Sequence, residues 1–207
     1  MRGPGAEGPD VERRRPSPRS GWPGAAGALG LRGKPTAGVT VGPATTHLTS
    51  KLMRLTDVLK PECIKVPLQH TQRREAIFEL ADLLAEHNGI EELDTLRDAI
   101  WAREQTRTTG IGGGIAVPHG KTDGVTQLCM AIGRTSEPID FGSVDRKPVE
   151  LIILLASPID QTGPHVTALS KISQMLIDVV VRERIKRCTT GQEIYDFIEE
   201  LESRAVV

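Results

Sequence analysis

The chain has 207 residues, of which 26 are Lys or Arg, 27 are Asp or Glu and 38% are hydrophobic. No stretch approaches the roughly 20 apolar residues of a membrane span, and one short basic cluster, Arg13–Arg15, does not indicate nucleic-acid binding. Cys63, Cys129 and Cys188 are far apart and form no CxxC pair. This spacing argues against a zinc ribbon or a disulfide framework and predicts a cytoplasmic protein.

The first 52 residues differ in composition from the rest of the chain. They hold 10 of the 21 glycines, 7 of the 14 prolines, and eight Lys or Arg against three Asp or Glu. A segment so poor in large apolar side chains cannot bury enough surface to offset its ordering entropy. We therefore predict a disordered segment at residues 1–52 and one domain at residues 53–207. Two interpretations of the segment stay open: a dispensable tail, or a mis-assigned start with Met53 as the natural first residue.

The domain begins with a predicted short helix over residues 55–59, which Pro61 stops, and a strand over residues 63–68. A helix with Thr71 as its N-cap then runs to residue 87, and Asn88-Gly89 is a typical helix stop. A second helix is predicted over residues 93–105. Apolar residues recur at helical spacing in both.

The second half of the domain alternates between strands and helices. Strands are predicted over residues 128–133 and 149–156, and the second is nearly all apolar, as in a strand covered on both faces. Helices follow from residue 162, with Pro164 at the first helical position, and over residues 179–187. The last helix starts at Thr190, which forms a capping box with Glu193. These elements predict an α/β sandwich with a single sheet.

Residues 110–122 form the most glycine-rich part of the domain and end in Gly120-Lys121-Thr122. A Walker A loop has four residues between its first glycine and the Gly-Lys-Thr, whereas Gly114 and Gly120 are separated by five. The dinucleotide pattern GxGxxG fails because Ile115 and Val117 stand where its last glycine belongs. Nucleotide binding is therefore not predicted.

His119 stands between Pro118, which fixes one backbone angle, and Gly120, which removes side-chain bulk. We expect this arrangement to present the imidazole in an open turn. A neutral imidazole has one nitrogen with a free lone pair and can accept a phosphoryl group near pH 7. From the spacing alone, a loop histidine without a role is an equal alternative.

The surrounding pattern resembles the active-site signature of the phosphotransferase-system enzyme IIA domains of the mannitol/fructose type. That signature has an acidic or amide residue, six residues, an apolar residue, a glycine, two residues, and then apolar-Ala-apolar-Pro-His-Gly. The resemblance covers residues 53–207, and residues 139–141 and 147–149 look most like the nitrogen-regulatory branch. The matching residues are Glu104, Ile111, Gly112, Ile115, Ala116, Val117, Pro118, His119 and Gly120.

The resemblance implies a fold and a chemistry. The fold is a single mixed sheet of about five strands sandwiched between helices. The chemistry is a phosphohistidine at His119, formed by transfer from a small HPr-type protein without a metal or a cofactor. Arg103 matches an arginine that would neutralise phosphoryl oxygens, and His165 matches a histidine that faces the phosphorylated one.

Three functions remain open at this point. The first is a phosphocarrier with regulatory protein targets, and the second is a sugar-specific component that passes phosphate to a IIB partner. The third is a binding module in which His119 is never phosphorylated. A metal-dependent hydrolase is not supported, because no histidine or carboxylate cluster has ligand spacing. The sequence leaves the oligomeric state undecided.

Overall fold

The computed structural model describes residues 53–204; the predicted disordered segment at residues 1–52 lies outside the described residues, as do residues 205–207. The described range forms five helices and one six-stranded mixed sheet, which confirms the predicted α/β fold. The strands are β1 (Leu59–Lys65), β2 (Gly110–Gly112), β3 (Ile115–Ala116), β4 (His119–Lys121), β5 (Cys129–Ile139) and β6 (Val149–Ser157). The helices are α1 (Arg73–Asn88), α2 (Leu93–Thr106), α3 (Thr162–Ile177), α4 (Val179–Arg187) and α5 (Gly191–Arg204).

Strand β6 is the centre of the sheet. The strand order is β1-β5-β6-β3-β2, and β4 also pairs with β6. β6 runs antiparallel to β5 and parallel to β3 and β4. Eight of its nine residues are buried, as expected for a strand covered on both faces. The histidine of the signature is registered against this strand, because His119 lies opposite Leu155.

The sheet has one more strand than the five expected. β2 and β4, neither of which is predicted from the sequence, have only three residues each and lie in the glycine-rich residues 110–122. The expectation that His119 lies in an open turn was wrong, because His119 is the first residue of β4. A three-residue strand shows no alternation in its sequence, and the pairing of β4 depends on β6, which is distant in the chain.

The first predicted helix was also wrong. Residues Leu55–Asp57 form a single 3₁₀ turn, and β1 already begins at Leu59, so that Pro61 lies within the strand. A proline is tolerated there because β1 is an edge strand of the sheet, where one N–H is not needed for pairing. Leu68, predicted as strand, follows β1 but is fully buried.

The helix ends predicted from the sequence lie within a few residues of those in the structure. α1 starts one residue later than Thr71 would require as N-cap, and Gly89 ends it in the left-handed conformation at φ 65°. Pro164 is the third residue of α3 and not the first. The capping box of α5 is confirmed, because the Glu193 backbone N–H donates to Thr190 Oγ1 at 3.2 Å and Glu193 accepts from the Thr190 N–H at 3.3 Å.

Helix packing brings the signature residues together. α1 packs on β1 and β5, α2 packs on β4, and α3 packs on β6. The end of α2, which carries Arg103, and the start of α3, which carries His165, therefore approach the strand of His119. Within residues 53–204, no helix has the length and apolar character that crossing a membrane requires.

Candidate active site

A buried glutamate holds the loop between α2 and β2. Glu104 is 2% exposed, and its carboxylate accepts hydrogen bonds from the Thr109 backbone N–H at 3.0 Å and from the Thr109 hydroxyl. Arg73 Nη1 lies 3.6 Å from the same carboxylate. Glu104 matches the acidic position of the signature, but the sequence alone indicates no chemical role for it. The structure shows that it fixes the loop beside the signature histidine.

Close packing explains the residue that follows His119. A Cβ at Gly120 would lie 3.2 Å from the Ile100 backbone nitrogen and side chain on α2. Such a separation is tighter than ordinary van der Waals contact, so glycine lets α2 lie directly against β4. The Leu155 backbone N–H donates to the Pro118 carbonyl at 3.0 Å and completes the anchoring of this strand.

The His119 ring has a defined orientation. Its Nδ1 lies 2.8 Å from the Val117 carbonyl oxygen. A carbonyl can only accept a hydrogen bond, so Nδ1 carries the proton in the neutral ring and Nε2 keeps its lone pair. The ring is half-buried. The nitrogen with nucleophilic character is therefore Nε2.

The environment of His119 keeps the ring neutral at pH 7. Burial lowers the pKa of His119 from its ordinary value of 6.5, and the positive charge of Arg103 acts in the same direction. The hydrogen bond to Val117 and the charge of Glu104 oppose this shift without reversing it. A neutral imidazole is the form that can attack a phosphoryl group.

His165 lies directly beside His119. The two ring centroids are 5.7 Å apart and the ring planes are tilted by 56°. His165 is 6% exposed, and its Nδ1 lies 2.7 Å from the Ser157 hydroxyl oxygen. Burial lowers the pKa of His165 to about 4, and the charges of Lys121 and of a protonated His119 act in the same direction, so this ring is also neutral at pH 7. The family resemblance implied that the two histidines face each other, whereas nothing in the sequence pointed to Ser157.

Arg103 shares a cleft with His119. The cleft has a volume of about 300 Å³, and both residues line it. Arg103 Nη1 donates to the Arg107 carbonyl at 3.0 Å, which leaves its other nitrogens for a ligand. His165 is not among the lining residues and lies next to the His119 ring. A larger cavity of about 980 Å³, between α4 and α5, contains none of these three residues.

The mouth of the cleft is apolar. Ile111 and Val144 line it and are 51% and 76% exposed. Asp145 orders the glycine turn next to them, because its carboxylate accepts from the Gly113 backbone N–H at 2.9 Å. Lys121 Nζ donates to Thr162 Oγ1 at 2.9 Å and adds a positive charge near His165. The arrangement combines a neutral nucleophile, cationic groups and an exposed apolar rim, and it suits an anionic group presented by another protein.

No group of three or more His, Cys, Asp or Glu side chains with metal-binding geometry occurs in the part of the chain that the structure describes. Positive charge in this region comes from Arg103, which acts on His119, and from Lys121, which acts on His165. Cationic side chains of this kind can donate hydrogen bonds to anionic oxygen atoms.

The chain matches known proteins over the whole described domain. Residues 57–201 match the family model for the phosphoenolpyruvate-dependent sugar phosphotransferase system, EIIA 2. The nitrogen regulatory protein of Bradyrhizobium diazoefficiens is 33% identical over 146 residues, which cover 70% of this chain and 95% of that protein. The fructose-specific EIIABC component of the phosphotransferase system of Bacillus subtilis is 29% identical over 148 residues, or 72% of this chain, but the chain spans only 23% of that protein's length.

A solved structure agrees with these matches. The crystal structure of the nitrogen regulatory protein IIA-Ntr from Neisseria meningitidis has a TM-score of 0.64 and 30% sequence identity, with 69% of this chain and 97% of that chain covered. The family predicted from the signature around His119 is confirmed. The chain therefore belongs to the EIIA 2 family of the phosphoenolpyruvate-dependent sugar phosphotransferase system.

Proposed function

We propose that this chain accepts a phosphoryl group on Nε2 of His119 from an HPr-type carrier protein and acts as a nitrogen-regulatory IIA component. The observation that carries the proposal is the hydrogen bond from His119 Nδ1 to the Val117 carbonyl. It holds the ring and leaves Nε2 with its lone pair at the neutral pH where transfer would occur.

The transfer is a displacement at phosphorus between two imidazoles. The lone pair of His119 Nε2 forms the new P–N bond, while the P–N bond of the donor phosphohistidine breaks and its electron pair returns to the donor ring. The Nδ1 proton of His119 stays hydrogen-bonded to Val117. Charge spreads over the three equatorial oxygens in the loose transition state, so their stabilisation is the main task of the surrounding groups.

Arg103 and His165 are the catalytic residues of this proposal beside His119. Arg103 lies in the same cleft as His119, and its guanidinium can form two hydrogen bonds with phosphoryl oxygens. The ring centroids of His165 and His119 are 5.7 Å apart. His165 is neutral, so it contributes as a hydrogen-bond donor rather than as a cation. Both act where negative charge develops.

The surface around the cleft supports a protein as donor. Ile111 and Val144 are exposed apolar residues at its mouth, and such side chains favour burial against a partner. Phosphorylation adds close to two negative charges in this surface, so partners would distinguish the two forms. A regulatory output is supported by the relatives named as nitrogen regulatory proteins, which the chain covers almost completely.

A second candidate is a sugar-specific IIA component that passes its phosphoryl group to a IIB protein. The observation in its favour is the similarity to the fructose-specific component of Bacillus subtilis. Either output uses the same chemistry at His119. Transfer of labelled phosphate from the protein to a purified IIB protein would favour this candidate over the regulatory one.

The domain assignment and the location belong to the same proposal. We propose residues 53–207 as the functional domain, which agrees with the family match over residues 57–201. The three free cysteines, two of them buried, suit a reducing cytoplasm. Phosphoenolpyruvate and the carrier proteins would have to be present in the same compartment.

The test is to incubate the purified chain with phosphoenolpyruvate, enzyme I and an HPr-type carrier, and to map phosphate by mass spectrometry without acid. We expect an acid-labile phosphate on His119, no label in His119→Ala, and slower labelling of His165→Ala. His87→Ala is the matched control, because His87 lies in the last turn of α1 and is not one of the residues that line the cleft. Full labelling of folded His119→Ala would contradict the proposal. No label on a folded wild-type protein with a competent donor would indicate a binding module.

A further inference from the structure

Ser157 is the last residue of β6 and is completely buried. Its hydroxyl oxygen lies 2.7 Å from Nδ1 of His165. Its backbone carbonyl accepts from the Thr122 N–H at 3.0 Å and so does not compete for the hydroxyl. Within residues 53–204, neither the Ser157 hydroxyl nor the His165 ring has another hydrogen-bond partner.

The direction of this hydrogen bond decides which nitrogen of His165 carries the proton. If Nδ1 donated, the buried Ser157 hydroxyl proton would have no acceptor, which is costly away from water. If the hydroxyl donates to Nδ1, its proton is satisfied and the single proton of the neutral ring resides on Nε2. In the second arrangement the donor without a partner is Nε2–H, and Nε2 is not among the completely buried side-chain atoms that lack a partner in residues 53–204. The second arrangement therefore leaves no completely buried donor unsatisfied.

We propose that Ser157 is a positioning residue that holds His165 in the Nε2–H tautomer, so that His165 donates a hydrogen bond to the phosphoryl group on His119. This inference rests on the function proposed above. With Nδ1 occupied by Ser157, Nε2 is the only ring nitrogen available to a group on the neighbouring His119. In the other tautomer, the Nε2 lone pair would face the negative phosphoryl oxygens and repel them.

The tautomer is measured directly by long-range ¹H–¹⁵N correlation NMR of the histidine rings in the unphosphorylated full chain at pH 7. Because the pKa of His165 is about 4, the ring is neutral under these conditions. We expect His165 of the wild-type protein to be protonated at Nε2 and Ser157→Ala to show a mixture of tautomers. A wild-type His165 protonated at Nδ1 would overturn the proposal, whether or not the protein can be phosphorylated.

A double-mutant cycle tests the consequence for transfer. We expect Ser157→Ala to slow labelling of His119 about fivefold, the value of one neutral hydrogen bond. Ser157→Cys, which replaces the hydroxyl with a slightly larger thiol that is only a weak donor, should slow it in the same direction. Neither substitution should slow labelling further in the His165→Ala background. A slowing of equal size in that background would show that Ser157 acts through the fold, and the proposal would fail.

The two measurements separate the inference from the function on which it rests. Absence of label on a folded wild-type protein would refute phosphoryl transfer, and with it the proposed use of the tautomer. Circular dichroism of Ser157→Ala and Ser157→Cys checks that each variant is folded before its rate is compared.

Discussion

Two loops of the molecule are each held by a buried glutamate, and the two sites differ in what surrounds the carboxylate. Glu79 of α1 is 7% exposed and accepts from the backbone N–H groups of Gln69 and His70 at 2.9 and 3.0 Å. Lys65 Nζ lies 2.8 Å from it and the His70 ring 2.9 Å. This glutamate has short contacts on every side, and none of its partners lies in the cleft of His119.

Glu104 makes the same kind of contact with the loop at Thr109, but its nearest cation, Arg73, is 3.6 Å away and also donates to the Phe141 carbonyl. Its loop forms one wall of the cleft that holds His119. The comparison indicates that Glu79 stabilises the fold alone, whereas Glu104 stabilises the fold and the site geometry. Each of the following predictions tests that difference.

The largest effect is expected from Glu104→Gln. The amide keeps the shape but removes the charge, so the hydrogen bonds from Thr109 weaken and the loop can shift relative to His119. Because small displacements of positioned groups cost large factors in rate, we expect labelling of His119 to slow about tenfold or more. The free energy of unfolding should fall by about 2–3 kcal/mol. Single-turnover labelling and urea unfolding measure the two effects. A normal rate in this variant would remove the distinction between the two glutamates.

Glu79→Gln should lower only the stability. Loss of the charge weakens the contacts with Lys65 and with two backbone N–H groups, and we expect a decrease of about 2 kcal/mol in the free energy of unfolding. The labelling rate of His119 should remain that of the wild type, measured below the unfolding transition. Slower labelling of the folded variant would show that the two loops are coupled.

The contribution of Glu79 should depend on pH. Burial alone would raise its pKa, but the hydrogen bonds from Lys65, Gln69 and His70 outweigh it and lower the pKa to about 2, from 4.5. The unfolded chain therefore takes up this proton at a higher pH than the folded one, so the stabilisation is present above about pH 4.5 and is lost as the pH falls toward 2. Urea unfolding between pH 6 and pH 3 should show a flatter decline for Glu79→Gln than for the wild type. Equal slopes would contradict the assigned pKa.

The smallest effect is expected at Gly133, which contacts the loop that Glu79 holds. A Cβ there would lie 2.7 Å from the fully buried Leu68 side chain. We expect Gly133→Ala to lower the free energy of unfolding by about 1 kcal/mol, because overpacking exceeds the entropy gained by removing a glycine. Gly163 has open space around its Cα, so Gly163→Ala is the control and should be nearly neutral. Thermal unfolding of both variants tests this, and a stable Gly133→Ala would show that Leu68 can move aside.

Patterns that depend on neighbouring residues were predictable from the sequence. The apolar run of β6 and the capping box of Thr190 and Glu193 appear in the structure where they were expected. The signature likewise led to the family, since it specifies residue types at fixed spacing. In each case the information lies within a short stretch of chain.

Features that depend on distant partners were missed. β4 is a strand only because β6 pairs with it, and Pro61 is tolerated in β1 only because that strand lies at the sheet edge. The contact between Ser157 and His165 was missed for a different reason: the two residues are only eight apart, but they meet only because the first turn of α3 folds back on the end of β6. A serine at the end of an apolar strand looks the same in the sequence whether or not its hydroxyl contacts a histidine.

Both histidines of the candidate site are hydrogen-bonded to or paired with residues of strand β6. His119 lies opposite Leu155 of β6, and His165 is hydrogen-bonded to Ser157, two residues further along the same strand. β6 is thus the one element that both rings share as a neighbour, although His119 is carried by β4 and His165 by α3. We therefore expect a substitution that shifts the end of β6 to displace both rings together, whereas a shift of α3 alone would move only His165.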